Sequence, residues 1–373
     1  MKLTQAQMTQ LETPCIVIDV DKARENCETM QREANRCKCA LRPHVKTHKM
    51  PFFAQMQMKL GAGGVTCCKV SEAEIMADGG VLDIFLAYPL VGKARLERAM
   101  ILHRRVDRLI FGVDSVPTAK LLQEAAQSHH LMAEVRMEVD TGAGRTGVPL
   151  ERAVELAQQI EQMPNLKLTG IYTFKSLVFE GRPTTNINLA SREEGELLQQ
   201  VVNQLKTAGI CIKEVSGGST PTGVAVARTG VVTEIRPGTY IFNDYMLVRE
   251  GYCKIKDVAV RMYATVVSTP RPDYAVLDGG TKAFSTDIPL GVPPYYYPGY
   301  AVVEGNPDLE LRRMNEEHGM LISRRGETGL QVGDVVSLIP VHVCTTINLH
   351  NQVYLLEQGC LKKCPVSARG TLH

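Results

Sequence analysis

Short apolar runs alternate with amphipathic segments between about residues 20 and 245 of this 373-residue chain. Short runs bounded by turn residues are typical of buried strands, and apolar positions every three or four residues are typical of helices. Their alternation predicts repeated βα units, and eight such strands close a parallel (β/α)8 TIM-like barrel. The predicted strands are 39–44, 64–68, 83–87, 108–113, 134–139, 168–174, 212–216 and 233–236.

One intervening segment carries signals for both ends of a helix. Ser191 and Glu194 have the spacing of a capping box before an apolar stripe, and Gly209 is placed to end the helix. This pattern predicts a helix that begins near Ser191.

The texture of the sequence changes after Asp244. Helical periodicity fades, and apolar runs at 258–268, 274–277, 335–338 and 353–356 are separated by Gly, Pro and Asp. We therefore predict a (β/α)8 barrel over residues 17–247 and a mainly β domain over 248–373, which a strand from residues 1–16 joins.

Composition and charge favour a protein that acts on small molecules over one that binds nucleic acids or membranes. The net charge of +2 and the lack of a long basic run give no reason to expect a nucleic acid partner. No apolar stretch reaches the roughly 18 to 20 residues of a membrane helix, and the polar N-terminal sequence lacks a signal-peptide core, so a cytoplasmic protein without a membrane partner is expected. Eleven cysteines, an odd number, lie partly within apolar runs and are expected to be mostly buried thiols.

Polar residues follow the predicted strands, at the end of a barrel where active sites form. Lys46 follows the first strand and lies among Arg42, His44, His48 and Lys49. Nearby positive charge favours the neutral amine that imine chemistry needs. The alternative is a basic loop that contacts solvent or phosphate.

Small residues follow the seventh and eighth strands, where barrels commonly bind phosphate. They form two short segments, Ser216-Gly217-Gly218-Ser219 and Gly238-Thr239-Tyr240. A lysine facing a phosphate cup suits pyridoxal 5'-phosphate, which needs an imine partner and a phosphate anchor. An ordinary Gly-Gly loop is the alternative for this segment alone.

Taken together, several motifs make the chain resemble the fold-type III pyridoxal-phosphate enzymes of the D-threonine aldolase and D-serine dehydratase branch, whose barrel resembles that of alanine racemase. The motifs are Arg42-Pro43-His44-Val45-Lys46-Thr47-His48-Lys49, Gly144-Arg145-Thr146-Gly147-Val148, Ser216-Gly217-Gly218, Arg236-Pro237-Gly238-Thr239-Tyr240, Asp278-Gly279-Gly280, Glu316-Glu317-His318-Gly319 and His342-Val343-Cys344.

This resemblance implies roles for the motif residues. Lys46 would hold the cofactor covalently and Arg145 would face its pyridine nitrogen, while His44 and Tyr172 would pack around the ring. His318 would be a base or a supporting group, with an ordinary loop histidine as the alternative. The fold also implies a homodimer with its site at the interface.

The pair His342 and Cys344 is a candidate metal site. One residue separates them on a run that is expected to be a strand, so both side chains would point to the same face and chelate one divalent ion. Imidazole plus thiolate suits zinc, with manganese or magnesium as alternatives. Without the family context, two half-buried residues on a sheet would be the simpler interpretation.

The chain departs at Phe174-Lys175-Ser176 from the aldolases that it resembles, which carry Tyr-His-Gly there. Lys175 could act in proton transfer or bind a distal anion of the substrate. The expected function is a metal-dependent lyase for a D-β-hydroxy-α-amino acid, by β-elimination or retro-aldol cleavage; the His-x-Cys pair favours elimination. A metal-independent racemase and a non-enzymatic pyridoxal-phosphate carrier are the alternatives.

Overall fold

The computed structural model describes residues 1 and 3–373. The strands are β1 (Cys15–Asp19), β2 (Ala40–Leu41), β3 (Val65–Cys67), β4 (Asp83–Leu86), β5 (Arg108–Val113), β6 (Ala133–Glu138), β7 (Leu166–Tyr172), β8 (Val178–Phe179), β9 (Arg182–Pro183), β10 (Glu214–Gly217), β11 (Glu234–Ile235), β12 (Val260–Arg271), β13 (Tyr274–Leu277), β14 (Ala301–Val303), β15 (Asn306–Met314), β16 (Gly319–Ser323), β17 (Val335–Pro340), β18 (Gln352–Glu357) and β19 (Cys360–Pro365).

The α-helices are α1 (Gln5–Met8), α2 (Val20–Arg36), α3 (Pro51–Lys59), α4 (Val70–Asp78), α5 (Lys93–His103), α6 (Val116–Ser128), α7 (Ala153–Glu161), α8 (Ile187–Thr207), α9 (Gly223–Ala227), α10 (Tyr245–Arg249) and α11 (Val343–Leu349). Short 3-10 turns lie at Val45–Thr47, Leu150–Arg152, Thr239–Ile241 and Ile255–Asp257. Within the described part of the chain, no helix is both long and apolar enough to cross a membrane.

The chain forms two compact units. The first, the sheet unit, comprises Met1–Cys27, Thr47–Lys49 and Thr239–Gly370. The second, the barrel unit, comprises Glu28–Lys46, Met50–Gly238 and Thr371–His373.

The barrel unit contains a parallel eight-stranded sheet in the order β2-β11-β10-β7-β6-β5-β4-β3. A parallel bridge between His44 and Thr66 joins its two ends, so the sheet closes. Each of the eight predicted strands is present, which confirms the predicted fold class. Parallel barrel strands are buried on both faces and therefore read as apolar runs.

Charged residues fill part of the barrel interior. Arg136, fully buried, pairs with Glu214 at 2.8 Å and Glu234 at 2.6 Å, and Glu234 also binds Arg42 at 2.7 Å. Burial opposes the charge of Glu234, but Arg42 and Arg136 outweigh it and lower its pKa to about 2. A buried network of this kind is tolerated because each charge has a partner.

The sheet unit holds a mainly antiparallel nine-stranded sheet in the order β13-β16-β15-β14-β17-β12-β1-β18-β19, and β12 also pairs with β13. The predicted mainly β character is therefore confirmed. The expected N-terminal strand is displaced: α1 occupies Gln5–Met8, and β1 begins only at Cys15. Its Cys15 and Val17 pack against Tyr263 and Tyr354.

The predicted start of α8 is wrong. The helix begins at Ile187, and its N-cap is Asn186, whose side chain accepts from the N–H of Leu189. Ser191 and Glu194 lie buried inside the helix instead of capping it. The end near Gly209 is confirmed, since α8 ends at Thr207 and Gly209 has a φ of +78°. Within the described residues none of the eleven cysteines forms a disulfide, and of these eleven only Cys211 and Cys360 are exposed.

Candidate active site

Lys46 and Arg145 meet at one aromatic ring of the barrel unit. Lys46 lies in the turn that follows β2, and its Nζ is 5.5 Å from the centroid of the Phe174 ring. The guanidinium carbon of Arg145 is 4.7 Å from the same centroid. Phe174 follows β7 and was not predicted as a site residue. The structure therefore brings the predicted cofactor lysine and the predicted ring-nitrogen partner to the same side of the barrel.

The positive charge expected around Lys46 is reduced. Arg42 points to carboxylates, since it binds Glu234 at 2.7 Å and Asp83 at 2.5 Å. His44 accepts from the main-chain N–H of Lys46 through Nδ1 at 3.3 Å, and its Nε2 lies 3.2 Å from Cys68 Sγ. Arg42 thus gives Lys46 little uncompensated positive charge, and the case for this lysine rests on its position.

The Gly-rich loop after β10 requires its glycines. A Cβ on Gly218, at a φ of +76°, would lie 2.6 Å from the Cα of Gly223, and one on Gly217 would lie 3.1 Å from Glu194 Oε1. The loop therefore brings main chain close to its neighbours, as a phosphate cradle must. Two of its amides already have partners, because Gly218 N–H donates to Glu194 Oε1 at 2.7 Å and Ser219 N–H donates to Thr222 Oγ1 at 2.9 Å.

Glu194, which the sequence interpretation assigned to a cap, supports the candidate phosphate loop. Its carboxylate is fully buried on α8 and holds the loop at Gly218. Burial raises its pKa to about 6, against the lowering effects of the Gly218 N–H, Arg236 and Lys175. Its place on the apolar stripe of α8, with Ala190, Leu198 and Leu205, was the available signal.

Tyr172 and Ser216 point into the barrel interior. The Tyr172 hydroxyl donates to Glu138 Oε2 at 3.0 Å, and its ring packs on Phe85 and Ile110. Ser216 Oγ donates to Glu234 Oε1 at 2.6 Å. Both predicted cofactor contacts therefore already have protein partners for their hydroxyl groups.

Gly238, another predicted cofactor contact, is the last residue of the segment Met50–Gly238 of the barrel unit.

Lys175 is enclosed within the protein. Its amine donates to the main-chain oxygen of Thr141 at 3.1 Å and forms an ion pair with Glu193. The side chain is 1% exposed. Glu193 also accepts from the N–H of Glu180, at the turn of the β8–β9 hairpin. Lys175 therefore holds this loop together, and no free amine is presented here to a substrate anion.

His342 and Cys344 are brought together, although not on a strand. β17 ends at Pro340, His342 is the N-cap of α11, and Cys344 lies in its first turn. The prediction that both residues lie on a strand is therefore wrong, because the chain turns into a helix at this point. The two side chains nevertheless hydrogen-bond to each other.

His342 also binds a carboxylate that the sequence interpretation missed. Its Nδ1 lies 2.7 Å from Asp287 Oδ2. Burial opposes the charge of His342, but the hydrogen bonds to Asp287 and Cys344 outweigh it and raise the pKa of His342 to about 11. The same hydrogen bond lowers the pKa of Asp287 to about 2 despite its partial burial.

Cys344 contacts Thr239, a predicted cofactor contact, and Thr47, which follows Lys46 in the sequence. Its Sγ lies 3.2 Å from Oγ1 of Thr47, the residue after Lys46, and 3.5 Å from Oγ1 of Thr239. Tyr240 is buried beside Thr239 in the same 3-10 turn. His318, by contrast, is exposed in the turn between β15 and β16.

The donor set of this pair suits a metal ion that keeps open positions. Among residues 1 and 3–373, no group of three or more His, Cys, Asp or Glu side chains is placed to hold a metal ion. An imidazole and a thiol that already touch would supply two ligands, and water and substrate would supply the rest. For the cofactor, a strand-end lysine and a Gly-rich loop follow strands of one parallel barrel, and they could supply the imine partner and the phosphate anchor that pyridoxal phosphate needs.

Comparisons with known proteins assign the family. The family model described as "Alanine racemase, N-terminal domain" matches residues 18–246, and one described as "Putative serine dehydratase domain" matches residues 259–356. D-threonine aldolase from Arthrobacter sp is 32% identical over 97% of this chain and 94% of its own length. D-threo-3-hydroxyaspartate dehydratase from Delftia sp. (strain HT23) is 32% identical over 92% of this chain and 93% of its own.

A solved structure of a D-threo-3-hydroxyaspartate dehydratase, a cysteine-to-alanine mutant in the metal-free form, superposes with a TM-score of 0.85. It is 29% identical and covers 95% of this chain and 97% of that one. Both units of the chain are thus matched by lyases of one kind. The chain belongs to the family of pyridoxal-phosphate-dependent lyases in which an alanine racemase N-terminal domain is joined to a serine dehydratase domain.

Proposed function

We propose that this protein is a pyridoxal-phosphate- and metal-dependent lyase that cleaves a D-β-hydroxy-α-amino acid. One observation carries the proposal: Cys344, half of the candidate metal pair, contacts Thr47 and Thr239, which adjoin Lys46 and Gly238 in the sequence. The candidate metal ligand therefore touches residues that are adjacent in sequence to the cofactor lysine and to Gly238 of the phosphate segment. Joint action of metal and cofactor on one substrate requires such an arrangement. A racemase needs no metal pair.

The relatives support the same substrate class. Their names give D-threonine, 3-hydroxy-D-aspartate and D-serine as substrates, and each of these carries an amine at Cα and a hydroxyl at Cβ. The proposal for this chain is the feature that these substrates share.

Each residue has a defined task in this proposal. Lys46 would hold the cofactor, Arg145 would face its ring nitrogen, and Gly217 with Gly218 would form the phosphate loop. A guanidinium keeps its proton, so the ring nitrogen opposite Arg145 stays unprotonated. Tyr172, Ser216, Ser219, Gly238, Thr239, Tyr240 and His44 complete the predicted surroundings of the cofactor.

His342 and Cys344 would hold a divalent ion, for which zinc is the best match to nitrogen and sulfur ligands. When bound, the cofactor takes up the electron pair released at Cα, and the ion makes the β-hydroxyl a better leaving group. The amine of Lys46 would take the Cα proton. The chemistry around Cα thus falls to Lys46 and the activation of the hydroxyl to the metal pair.

The reaction has two versions. In β-elimination the Cβ–O bond breaks and water leaves, water then hydrolyses the resulting imine, and the net products are ammonia and a 2-keto acid. In retro-aldol cleavage the hydroxyl loses its proton, the Cα–Cβ bond breaks, and the products are glycine and an aldehyde. We favour elimination, because the His-x-Cys pair resembles the dehydratases. His318 as a base, the homodimer and the cytoplasmic location stay predictions from the sequence.

Turnover of paired D and L β-hydroxy amino acids tests the proposal. The purified holoenzyme is given threonine-, serine- and 3-hydroxyaspartate-type substrates, and keto acid, aldehyde and the inverted enantiomer are measured. Release of keto acid or aldehyde from D substrates alone is expected. If the inverted enantiomer were the sole product, a racemase would replace this proposal, and if nothing were turned over the carrier interpretation would.

A further inference from the structure

The ring of His342 is held from the side of Nδ1. Asp287 Oδ2 lies 2.7 Å from Nδ1, and the hydrogen bond between His342 and Cys344 joins the two candidate ligands. The His342 side chain is 21% exposed, so it lies in a wall of the sheet unit rather than free in solvent. A histidine held in this way has a fixed ring plane and a fixed proton position on Nδ1.

Asp287 is itself held by hydroxyl groups. Ser285 donates to Asp287 Oδ1, and Thr345 Oγ1 lies 3.1 Å from that oxygen and 2.6 Å from Ser285 Oγ. Both carboxylate oxygens are therefore occupied, one by the histidine and one by hydroxyl groups. This arrangement leaves Asp287 as a support for His342 and not as a third ligand.

The loop that carries Asp287 is tied to α11, the helix that carries Cys344. The N–H of Ser285 donates to Thr346 Oγ1 at 3.4 Å, and His350 Nε2 lies 3.0 Å from the main-chain oxygen of Ala283. Asp287 and Cys344 are therefore fixed to one helix although they are far apart in sequence.

Such support matters most where few ligands hold an ion. A carboxylate that accepts a hydrogen bond from the second ring nitrogen orients a metal-bound histidine and makes it more basic, and its loss commonly weakens metal binding 10- to 100-fold. With only two protein ligands, no further side chain would compensate for a loosened His342.

We infer that Asp287 is the positioning residue of the metal site, which fixes His342 through Nδ1 so that the other ring nitrogen is directed at the ion beside Cys344. This inference rests on the metal site of the proposed function. It assigns part of the affinity for the ion to a residue that is not itself a ligand.

Zinc affinity of the full-length holoenzyme tests the inference, measured by competition with a chromophoric chelator. Asp287→Ala is expected to weaken zinc binding about 10- to 100-fold. Asp287→Asn should recover part of the loss, because its amide oxygen still accepts from Nδ1. Asp273→Ala is the matched control, since the Asp273 side chain is 42% exposed in the same unit against 41% for Asp287. It should bind zinc like the wild type.

Cobalt substitution separates support from direct ligation. At saturating cobalt, Asp287→Ala should keep the thiolate-to-cobalt absorption of Cys344 and the visible bands of the wild type. Wild-type zinc affinity in Asp287→Ala would overturn the inference alone, and so would cobalt bands that report a lost ligand. If wild type and His342→Ala both bound no divalent ion, the metal part of the proposed function would fail together with it.

Discussion

The carboxylate of Glu194 accepts a hydrogen bond of 2.7 Å from the main-chain N–H of Gly218. This bond joins the buried face of α8 to the loop that is proposed to hold the phosphate. The shape of the loop therefore depends on Glu194, which lies outside the loop on α8.

Replacement of Glu194 by alanine is expected to weaken cofactor binding by about tenfold or more and to lower the free energy of unfolding by about 1–3 kcal/mol, because the N–H of Gly218 loses its acceptor. Glu194→Gln keeps an acceptor oxygen and should lose less. The cofactor dissociation constant of the apoprotein and thermal unfolding measure both effects. Glu196→Ala, exposed on the same helix, is the control. Unchanged cofactor affinity in Glu194→Ala would remove Glu194 from the site.

The ion pair between Lys175 and Glu193 predicts a structural effect. Glu193→Gln leaves a buried amine without its counter-charge and should destabilise the protein by about 3–5 kcal/mol, with faster chymotrypsin cleavage after Phe179 in the β8–β9 hairpin. Lys175→Met removes the other partner of this ion pair. Lys167→Met, at an exposed position of β7, serves as its control. If Lys175→Met instead raised KM for acidic substrates and left stability unchanged, the substrate-anion role of Lys175 would return.

Glu250 predicts a dependence of stability on pH. Burial, with the nearby carboxylate of Asp244, raises the pKa of Glu250 to about 8 from an ordinary value of 4.5. The folded state holds this proton more tightly than the unfolded state, so the stabilisation is complete below about pH 4.5 and is lost as the pH rises through about 8.

Urea unfolding at pH 6, 7.5 and 9 measures this loss. Between the ordinary and the raised pKa of Glu250, the free energy of unfolding should fall by about 1.4 kcal/mol for each rise of one pH unit. Glu250→Gln imitates the protonated acid and should flatten the curve over this range. Glu327→Gln, an exposed change in the same unit of the chain, should behave like the wild type. Parallel curves for wild type and Glu250→Gln would show that Glu250 is ionised in the fold.

The sequence predicted those features of the fold and the site that depend on the residue pattern of a single strand. The barrel strands could be predicted because burial on both faces makes each strand a continuous apolar run. Lys46 could be located because it directly follows one of these runs. Glu194 was misassigned because a capping pattern outweighed its place on the apolar stripe of α8, beside Leu198.

Contacts between segments that are far apart in the sequence could not be predicted. Asp287 and His342 are separated by 55 positions, and no local pattern links them. α11 is only seven residues long and directly follows the apolar strand β17, so nothing nearby indicated that the chain turns between Pro340 and Val343. Phe174 could not be assigned because its role depends on where Lys46 and Arg145 meet.

Lys46 should carry the cofactor. Borohydride reduction of the holoenzyme, followed by peptide mapping, should place the pyridoxyl group on Lys46. Lys46→Ala should remove this covalent link without loss of the fold, as circular dichroism would show. A pyridoxyl group on Lys49 or Lys175 would disprove the assignment. Lys175 should remain unlabelled, because its amine is enclosed.

Arg145→Glu should allow the ring nitrogen to become protonated and so strengthen the cofactor as an electron acceptor. The absorption spectrum with substrate and the ratio of keto acid to aldehyde should both change. Spectra and kinetics like those of the wild type would show that Arg145 does not face the ring.

The most direct test of the account is turnover of a D-β-hydroxy amino acid before and after exhaustive chelation, with the metal and cofactor contents of both samples measured. Because His342 and Cys344 would hold the ion while Lys46 holds the cofactor, chelation should abolish lyase turnover, leave the cofactor bound, and be reversed by added zinc. Cys344→Ala should reproduce the chelated state. Full activity after chelation, in a protein that contains no divalent ion, would contradict the account.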